Sequence, residues 1–157
     1  MKEGIETVSL PPILLDLGVF TPGQDPVEDE KGLLKALELV VHYNQNYLDA
    51  YPHTPKLYSS GIKYVRDPQG VELWRGIRSC LAAGFADCKS LAAYRVAELR
   101  QAGEHATFVL RQKLRPMIGG GTHVLYHVQI QREDQAVEDP SSILGMKDPW
   151  AEALNAA

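Results

Sequence analysis

The stretch Gly84-Phe85-Ala86-Asp87-Cys88-Lys89-Ser90-Leu91-Ala92 is the most informative part of this chain. Asp87 is a favourable N-cap residue, so the pattern predicts a helix that opens at Cys88 and runs to about Ala102. A thiolate at a helix N-terminus is stabilised by the helix dipole and by unpaired N–H groups, which can lower the pKa of a cysteine. Lys89 favours that shift and Asp87 opposes it. A free cysteine is also commonly a small buried apolar residue, so this stretch alone leaves both roles open.

The composition is that of one globular domain. The chain has 157 residues, of which 45% are hydrophobic and 23% charged, enough for a sizeable core. The net charge of −4 disfavours nucleic-acid binding and weakly favours neutral or basic substrates. The sequence has no apolar run of about 18 residues and no secretory signal at its N-terminus, so we expect no membrane span. Two cysteines do not form a disulfide framework, and the expected location is therefore the cytoplasm.

The first half of the chain reads as an arm followed by helices. Prolines and glycines punctuate residues 1–27, which predict an extended N-terminal arm. Apolar residues at three- and four-residue steps predict one helix over about residues 27–50 and another over about residues 72–81. Between them, residues 55–65 predict a loop that leads into a short strand.

After the Cys88 helix, the hydrophobic period changes from about 3.6 to 2. Residues 107–111, 124–131 and 136–138 predict strands, with a hairpin turn near Glu133-Asp134. Helices followed by an antiparallel sheet predict the α+β class. We expect residues 1–157 to form a single domain.

Two downstream residues are candidates to complete a catalytic set with Cys88. His123 stands at the start of an apolar strand, and Asp139 lies where the next strand is expected to bring it beside His123. An imidazole takes the thiol proton, and a carboxylate fixes the tautomer of that imidazole. His127 is the alternative base, on the same strand face but about 13 Å further along, and we favour His123. Asp134 is the alternative carboxylate, but it lies at the predicted hairpin tip.

These motifs resemble those of the transglutaminase-like superfamily of papain-type cysteine folds. The resemblance is clearest over residues 72–146. The chain is similar to small bacterial and phage-associated members of the superfamily, in which a sequence like Leu144-Gly145-Met146 follows the aspartate. One departure is Ala86, where members often have a glycine before the Asp-Cys pair. The matching motifs are residues 84–92 for the nucleophile, His123-Val124 for the histidine and Glu138-Asp139-Pro140-Ser141 for the aspartate.

The resemblance implies a papain-like core, in which the nucleophile helix packs on an antiparallel sheet. It implies cysteine-dependent acyl transfer on an amide of a protein or peptide, through a thioester, with Cys88, His123 and Asp139 as the catalytic residues. Hydrolysis and transfer to an amine both remain open, because they share that thioester. The alternative is that the fold serves as a non-catalytic structural or binding component, for example of a phage virion or tail, with residues 1–27 gripping an assembly partner.

A metal site is a weaker interpretation of the same residues. Cys80, Cys88, His123 and His127 include ligand types that zinc prefers, but zinc sites usually pair ligands two to four residues apart. Cys80 and Cys88 are separated by eight positions and a predicted helix break. We therefore expect neither a metal nor an organic cofactor.

Overall fold

The chain has an α+β fold, as its sequence predicts. The computed structural model describes residues 26–68, 71–116 and 118–150, and at Pro26, Thr122 and His123 it describes the backbone alone. The predicted N-terminal arm lies outside the described residues, except that its last two residues begin the first helix. The elements are α1 (Pro26–Ala50), a 3₁₀ turn (Leu57–Ser59), β1 (Lys63–Tyr64), α2 (Ile77–Ala83), β2 (Phe85–Ala86), α3 (Cys88–Gln101), β3 (Thr107–Pro116), β4 (Thr122–Gln131), β5 (Val137–Glu138) and α4 (Pro140–Ile143).

Helix α3 lies at the centre of the core. Ten of its 14 residues are buried, because α1 packs on one side of it and the sheet on the other. Helix α1 turns a stripe of buried apolar side chains toward α3, as the predicted three- and four-residue spacing requires. On the sheet side, Val128 and Ile130 of β4 join the same apolar cluster. The helix that carries Cys88 is thus fixed on two sides.

The main sheet is antiparallel, with the strand order β3-β4-β5. Strands β3 and β4 pair along ten residues, from Thr107 opposite Gln131 to Pro116 opposite Thr122. Strand β5 pairs with β4 at only two positions, Ile130 with Glu138 and Gln131 with Val137. The predicted antiparallel strands are confirmed. The separate parallel pair of β1 and β2 has two residues in each strand, too few to show a period in the sequence.

The second helix begins later than its sequence predicts. The apolar spacing indicates a start near Glu72, but α2 covers Ile77–Ala83. The preceding segment is not helical, because its backbone N–H groups are held by side chains: Leu73 donates to Asp67 Oδ2 at 2.8 Å and Arg75 donates to Ser90 Oγ at 3.1 Å. The helix ends at Ala83, two residues after its predicted end, and Gly84 is its C-cap residue with φ 76°.

Asn44 fixes the start of α2 from inside the core. This residue of α1 is fully buried, and its Oδ1 accepts the N–H of Ile77 at 2.9 Å. A Cβ on the neighbouring Gly76 would lie 2.7 Å from the ring of Tyr43, so any other residue there would require that ring to move. Among the described residues, no helix is both long enough and apolar enough to cross a membrane.

Candidate active site

Cys88 is the first residue of α3, where the sequence predicts it. Asp87 is the N-cap residue, and its side chain accepts the backbone N–H of Ser90 at 3.3 Å. The Cys88 side chain is half-buried at the edge of the apolar cluster between α3 and β4. The backbone N–H of Val128 lies near enough to the sulfur to lower the pKa of the thiol. The nucleophile candidate therefore lies against the strand that carries His127.

The surroundings of Cys88 favour the neutral thiol. Burial raises the pKa of the Cys88 thiol to about 12, and the nearby charge of Asp87 acts in the same direction. The N–H of Val128 and the charge of Lys89 lower the pKa, but their effect is smaller. The helix N-terminus therefore does not produce a thiolate in this arrangement, because the cost of desolvating the charge is larger.

Lys89 lowers the pKa of the Cys88 thiol only slightly, because its charge is shared among three carboxylates. Its Nζ lies 2.8 Å from Asp67 and 2.9 Å from Glu72, and it also contacts Asp87. The oxygens of these three acids lie close enough together to hold a metal ion. The lysine ammonium already contacts all three, so the charge that a cation would supply is provided by the protein itself.

Asp139 and His127 form the hydrogen-bonded pair of this site. Nε2 of His127 lies 2.8 Å from Oδ2 of Asp139. The same oxygen accepts the Gln129 amide at 3.1 Å, and Oδ1 caps α4 by accepting the N–H groups of Ser141 and Ser142. Burial alone would raise the pKa of Asp139, but hydrogen bonds from His127 and Gln129 outweigh it and hold the pKa at about 2.

The ionised carboxylate fixes the tautomer of His127. A carboxylate only accepts hydrogen bonds, so Nε2 must carry the proton that it donates, and Nδ1 of the neutral ring has a free lone pair. Within the described parts of the chain, the His127 ring has no hydrogen bond other than the one to Asp139. Nδ1 is therefore the atom that can accept a proton.

The partner of Asp139 differs from the one we favoured from the sequence. We expected His123 beside Asp139, but the structure pairs Asp139 with His127. His123 lies four residues nearer the β3–β4 turn, about 13 Å away along the strand, opposite Arg115. The physical reason is the strand register: Ile130 pairs with Glu138, so Asp139 is level with Gln129, two residues from His127 and six from His123.

The sequence does contain a signal for His127. The hairpin turn is predicted near Glu133-Asp134, and residues at equal distances before and after a turn face each other across the strands. Counting outward from Glu133-Asp134 places Asp139 opposite Val128, next to His127. The observed turn has one residue more, because Arg132 N–H donates to the carbonyl of Ala136 at 2.8 Å, and this brings Asp139 beside Gln129, on the same face as His127. Asp134 has the turn role expected for it, because its Oδ1 accepts the N–H of Ala136 at 3.0 Å.

A network of charged groups holds β5, and with it Asp139, against α3. Glu138 accepts Arg95 Nε at 2.7 Å and Arg132 Nη1 at 2.6 Å, and it also accepts the hydroxyl of Tyr58. Arg95 also contacts Glu98 of its own helix at 3.1 Å. Because Arg95 and Cys88 belong to the same helix, these contacts relate the position of the carboxylate to that of the thiol.

The Asp139→Asn variant tests the ion pair through stability. The pKa of Asp139 falls from 3.8 to about 2 on folding, so this residue contributes stability above about pH 4 that is lost as the pH falls toward 2. We expect the variant to lose about 2 kcal/mol of unfolding free energy at pH 7 and less than half of that at pH 2.5. Urea unfolding of the wild type and the variant between pH 7 and pH 2.5 measures this difference in unfolding free energy. A difference that does not change with pH would contradict the ionised pairing.

Comparison of the chain with protein-family models, with curated proteins and with solved structures found no match. The resemblance to the transglutaminase-like superfamily therefore rests on the motifs alone. What the geometry offers independently is a thiol on a helix N-terminus, an imidazole with an available Nδ1, and a carboxylate that orients that imidazole.

Proposed function

We propose that this chain catalyses cysteine-dependent acyl transfer on an amide, with Cys88 as nucleophile, His127 as general base and Asp139 as the residue that orients the base. The observation that carries the proposal is the 2.8 Å contact between His127 and Asp139, on the strand whose next N–H group, that of Val128, lies near the Cys88 thiol. A papain-like core of the transglutaminase-like type is part of the proposal.

The chemistry requires one proton transfer that accompanies the attack and one after it. His127 Nδ1 takes the thiol proton while the sulfur attacks the carbonyl carbon, and Asp139 stabilises the resulting imidazolium. The imidazolium then gives its proton to the leaving amine as the C–N bond breaks, which leaves an acyl group on Cys88 as a thioester. Water or a second amine resolves the thioester and restores the thiol. The backbone N–H of Cys88, at the helix N-terminus, is the proposed donor to the oxyanion.

The raised pKa of Cys88 favours a base-assisted mechanism. A preformed thiolate–imidazolium pair needs a thiol of low pKa, whereas here burial raises the pKa to about 12. The proton is therefore proposed to move to His127 as the substrate reacts. Binding of the substrate displaces water from the site, and the reaction does not depend on a standing population of thiolate.

Trapping of the thioester tests the proposal directly. We expect the wild-type chain to release p-nitrophenolate from p-nitrophenyl acetate in a burst and to gain one acetyl group on Cys88. Peptide mass spectrometry locates the group, with the fully buried Cys80 as internal control. The Cys88→Ser variant should show neither the burst nor the adduct. Acetylation of Cys80 at the same rate, or an unchanged burst in Cys88→Ser, would refute the role of Cys88.

The alternative function is that of a structural or binding component that does not use this chemistry, such as a part of a phage assembly. Two observations favour it: the high pKa of the Cys88 thiol and the low exposure of His127, which is 3%. Absence of acylation in the trapping experiment, in a chain that co-purifies with a larger assembly, would support this alternative.

A further inference from the structure

A row of basic side chains shares a sheet face with His127. Residues that stand directly opposite each other in an antiparallel pair project to the same face. The register sets Arg111 opposite His127 and Lys113 opposite Leu125, and Arg115 follows two residues later on the same face. Three positive charges therefore alternate along β3, beginning beside the candidate base.

The opposite face of the sheet belongs to the core. Phe108 and Leu110 of β3 pack against the apolar cluster of α1 and α3, and Gln112 donates to Glu30 of α1 at 3.0 Å. The basic residues occupy the alternate positions of β3, so their side chains point away from the helices. Within the part of the chain that the structure describes, Arg111 and Lys113 are therefore exposed on the side of the sheet away from the helices.

Among the described residues, no carboxylate forms an ion pair with Arg111 or Lys113. Both residues are exposed. Arg111 Nε donates instead to the neutral amide of Gln129 at 3.0 Å, and Lys113 Nζ lies 5.8 Å above the ring of Trp150. Arg95, Arg100 and Arg132, in contrast, each contact a glutamate within 3.1 Å. In a chain of net charge −4, this face has a local positive charge.

The basic row is connected to the candidate active site through Gln129. The amide oxygen of Gln129 accepts Arg111, and its nitrogen donates to Asp139 Oδ2 at 3.1 Å. Asp139 in turn contacts His127. An anionic group held by Arg111 is thus separated from the carboxylate of the site by the length of one glutamine side chain.

We propose that Arg111 and Lys113 bind carboxylate side chains of an extended acidic peptide segment, and that such peptides are the substrate class of this site. The guanidinium of Arg111 presents a planar fork that matches a carboxylate. The two basic residues are two positions apart on a strand, about 6.8 Å, which is also the spacing of alternate side chains in an extended peptide. The assignment to a substrate rests on the proposed function, whereas the binding does not. The net charge of the whole chain suggests neutral or basic substrates. The local electrostatic field near the site, however, governs which substrates encounter it.

Fluorescence anisotropy with the full chain carrying Cys88→Ala tests this proposal without turnover. The probe is a fluorescein-labelled nonapeptide of alternating Glu and Thr, and the matched probe has Gln in place of Glu. We expect the acidic peptide to bind and the Gln peptide to bind at least about tenfold more weakly. Arg111→Gln combined with Lys113→Gln should weaken acidic-peptide binding by a similar factor.

The control removes the same number of charges elsewhere. Lys35→Gln combined with Lys56→Gln changes two exposed residues outside the sheet and should leave the Kd within about twofold. Circular dichroism confirms that each variant is folded, and Arg111→Lys should retain part of the affinity. Equal binding of both peptides, equal losses in both double variants, or equally tight binding of a single-stranded oligonucleotide would overturn the proposal.

The proposed function and this proposal can fail separately. Acylation of Cys88 without acidic-peptide binding would remove only the substrate assignment. Peptide binding that depends on Arg111 and Lys113, in a chain that forms no thioester, would refute the enzyme and leave a binding surface for acidic segments.

Discussion

Replacing His127 with alanine is expected to slow alkylation of Cys88 by iodoacetamide at pH 7 by about 100-fold, which is the lower end of what a positioned general base contributes. Burial raises the pKa of the thiol to about 12, so very little thiolate is present at neutral pH. Reaction there depends on a base that takes the proton. His127, with Nε2 held by Asp139, is the residue that we propose for this step.

The pH profile separates a general base from a merely structural histidine. The wild-type rate should include a component at neutral pH that is absent from His127→Ala, where the rate should rise only as the thiol itself titrates at alkaline pH. Peptide mass spectrometry follows Cys88 and Cys80 in the same sample. His123→Ala is the matched control and should stay within about twofold of wild type. Slowing by His123→Ala but not by His127→Ala would restore the base that we favoured from the sequence.

Replacing Lys89 with methionine is expected to lower the free energy of unfolding by about 3–5 kcal/mol at pH 7.5. The side chain of Lys89 is 5% exposed, and those of Asp67 and Asp87 are 9% exposed, so removal of the cation leaves two buried carboxylates facing each other. Glu72 has a side chain 78% exposed and can turn to water. Urea unfolding measures the loss.

The pH dependence identifies the cause of that loss. Burial already raises the pKa of Asp87 against the attraction of Lys89, and without the lysine that pKa rises further. A carboxyl with a raised pKa destabilises the fold as the pH increases, so the deficit of Lys89→Met should shrink at pH 5. Adding Asp67→Asn and Asp87→Asn should recover most of the stability. The exposed Lys63→Met should change it by less than about 0.5 kcal/mol, and an equal loss there would contradict the buried cluster as the cause.

Local residue patterns predict α1 and α3 well, for a simple reason. The apolar spacing of α1 and the caps of α3 at Asp87 and Gly103 are properties of neighbouring residues. Helix α2 is less well predicted because its start depends on Asn44, a residue 33 positions away that receives the N–H of Ile77. Apolar spacing does not show that the N–H groups of residues 73 and 75 are bound by Asp67 and Ser90.

The residue types of the candidate site are evident from the sequence alone, but their assembly is not. A cysteine behind an N-cap aspartate, a histidine-bearing strand and an Asp-Pro corner follow from local chemistry, and so does the α+β order of the elements. The choice of His127 over His123 depends on the register of β4 against β5, which a difference of one residue in the turn between them changes. The pKa of Cys88 depends on how deeply α3 packs against β4, and the balance between burial and a helix dipole exists only once those elements have come together.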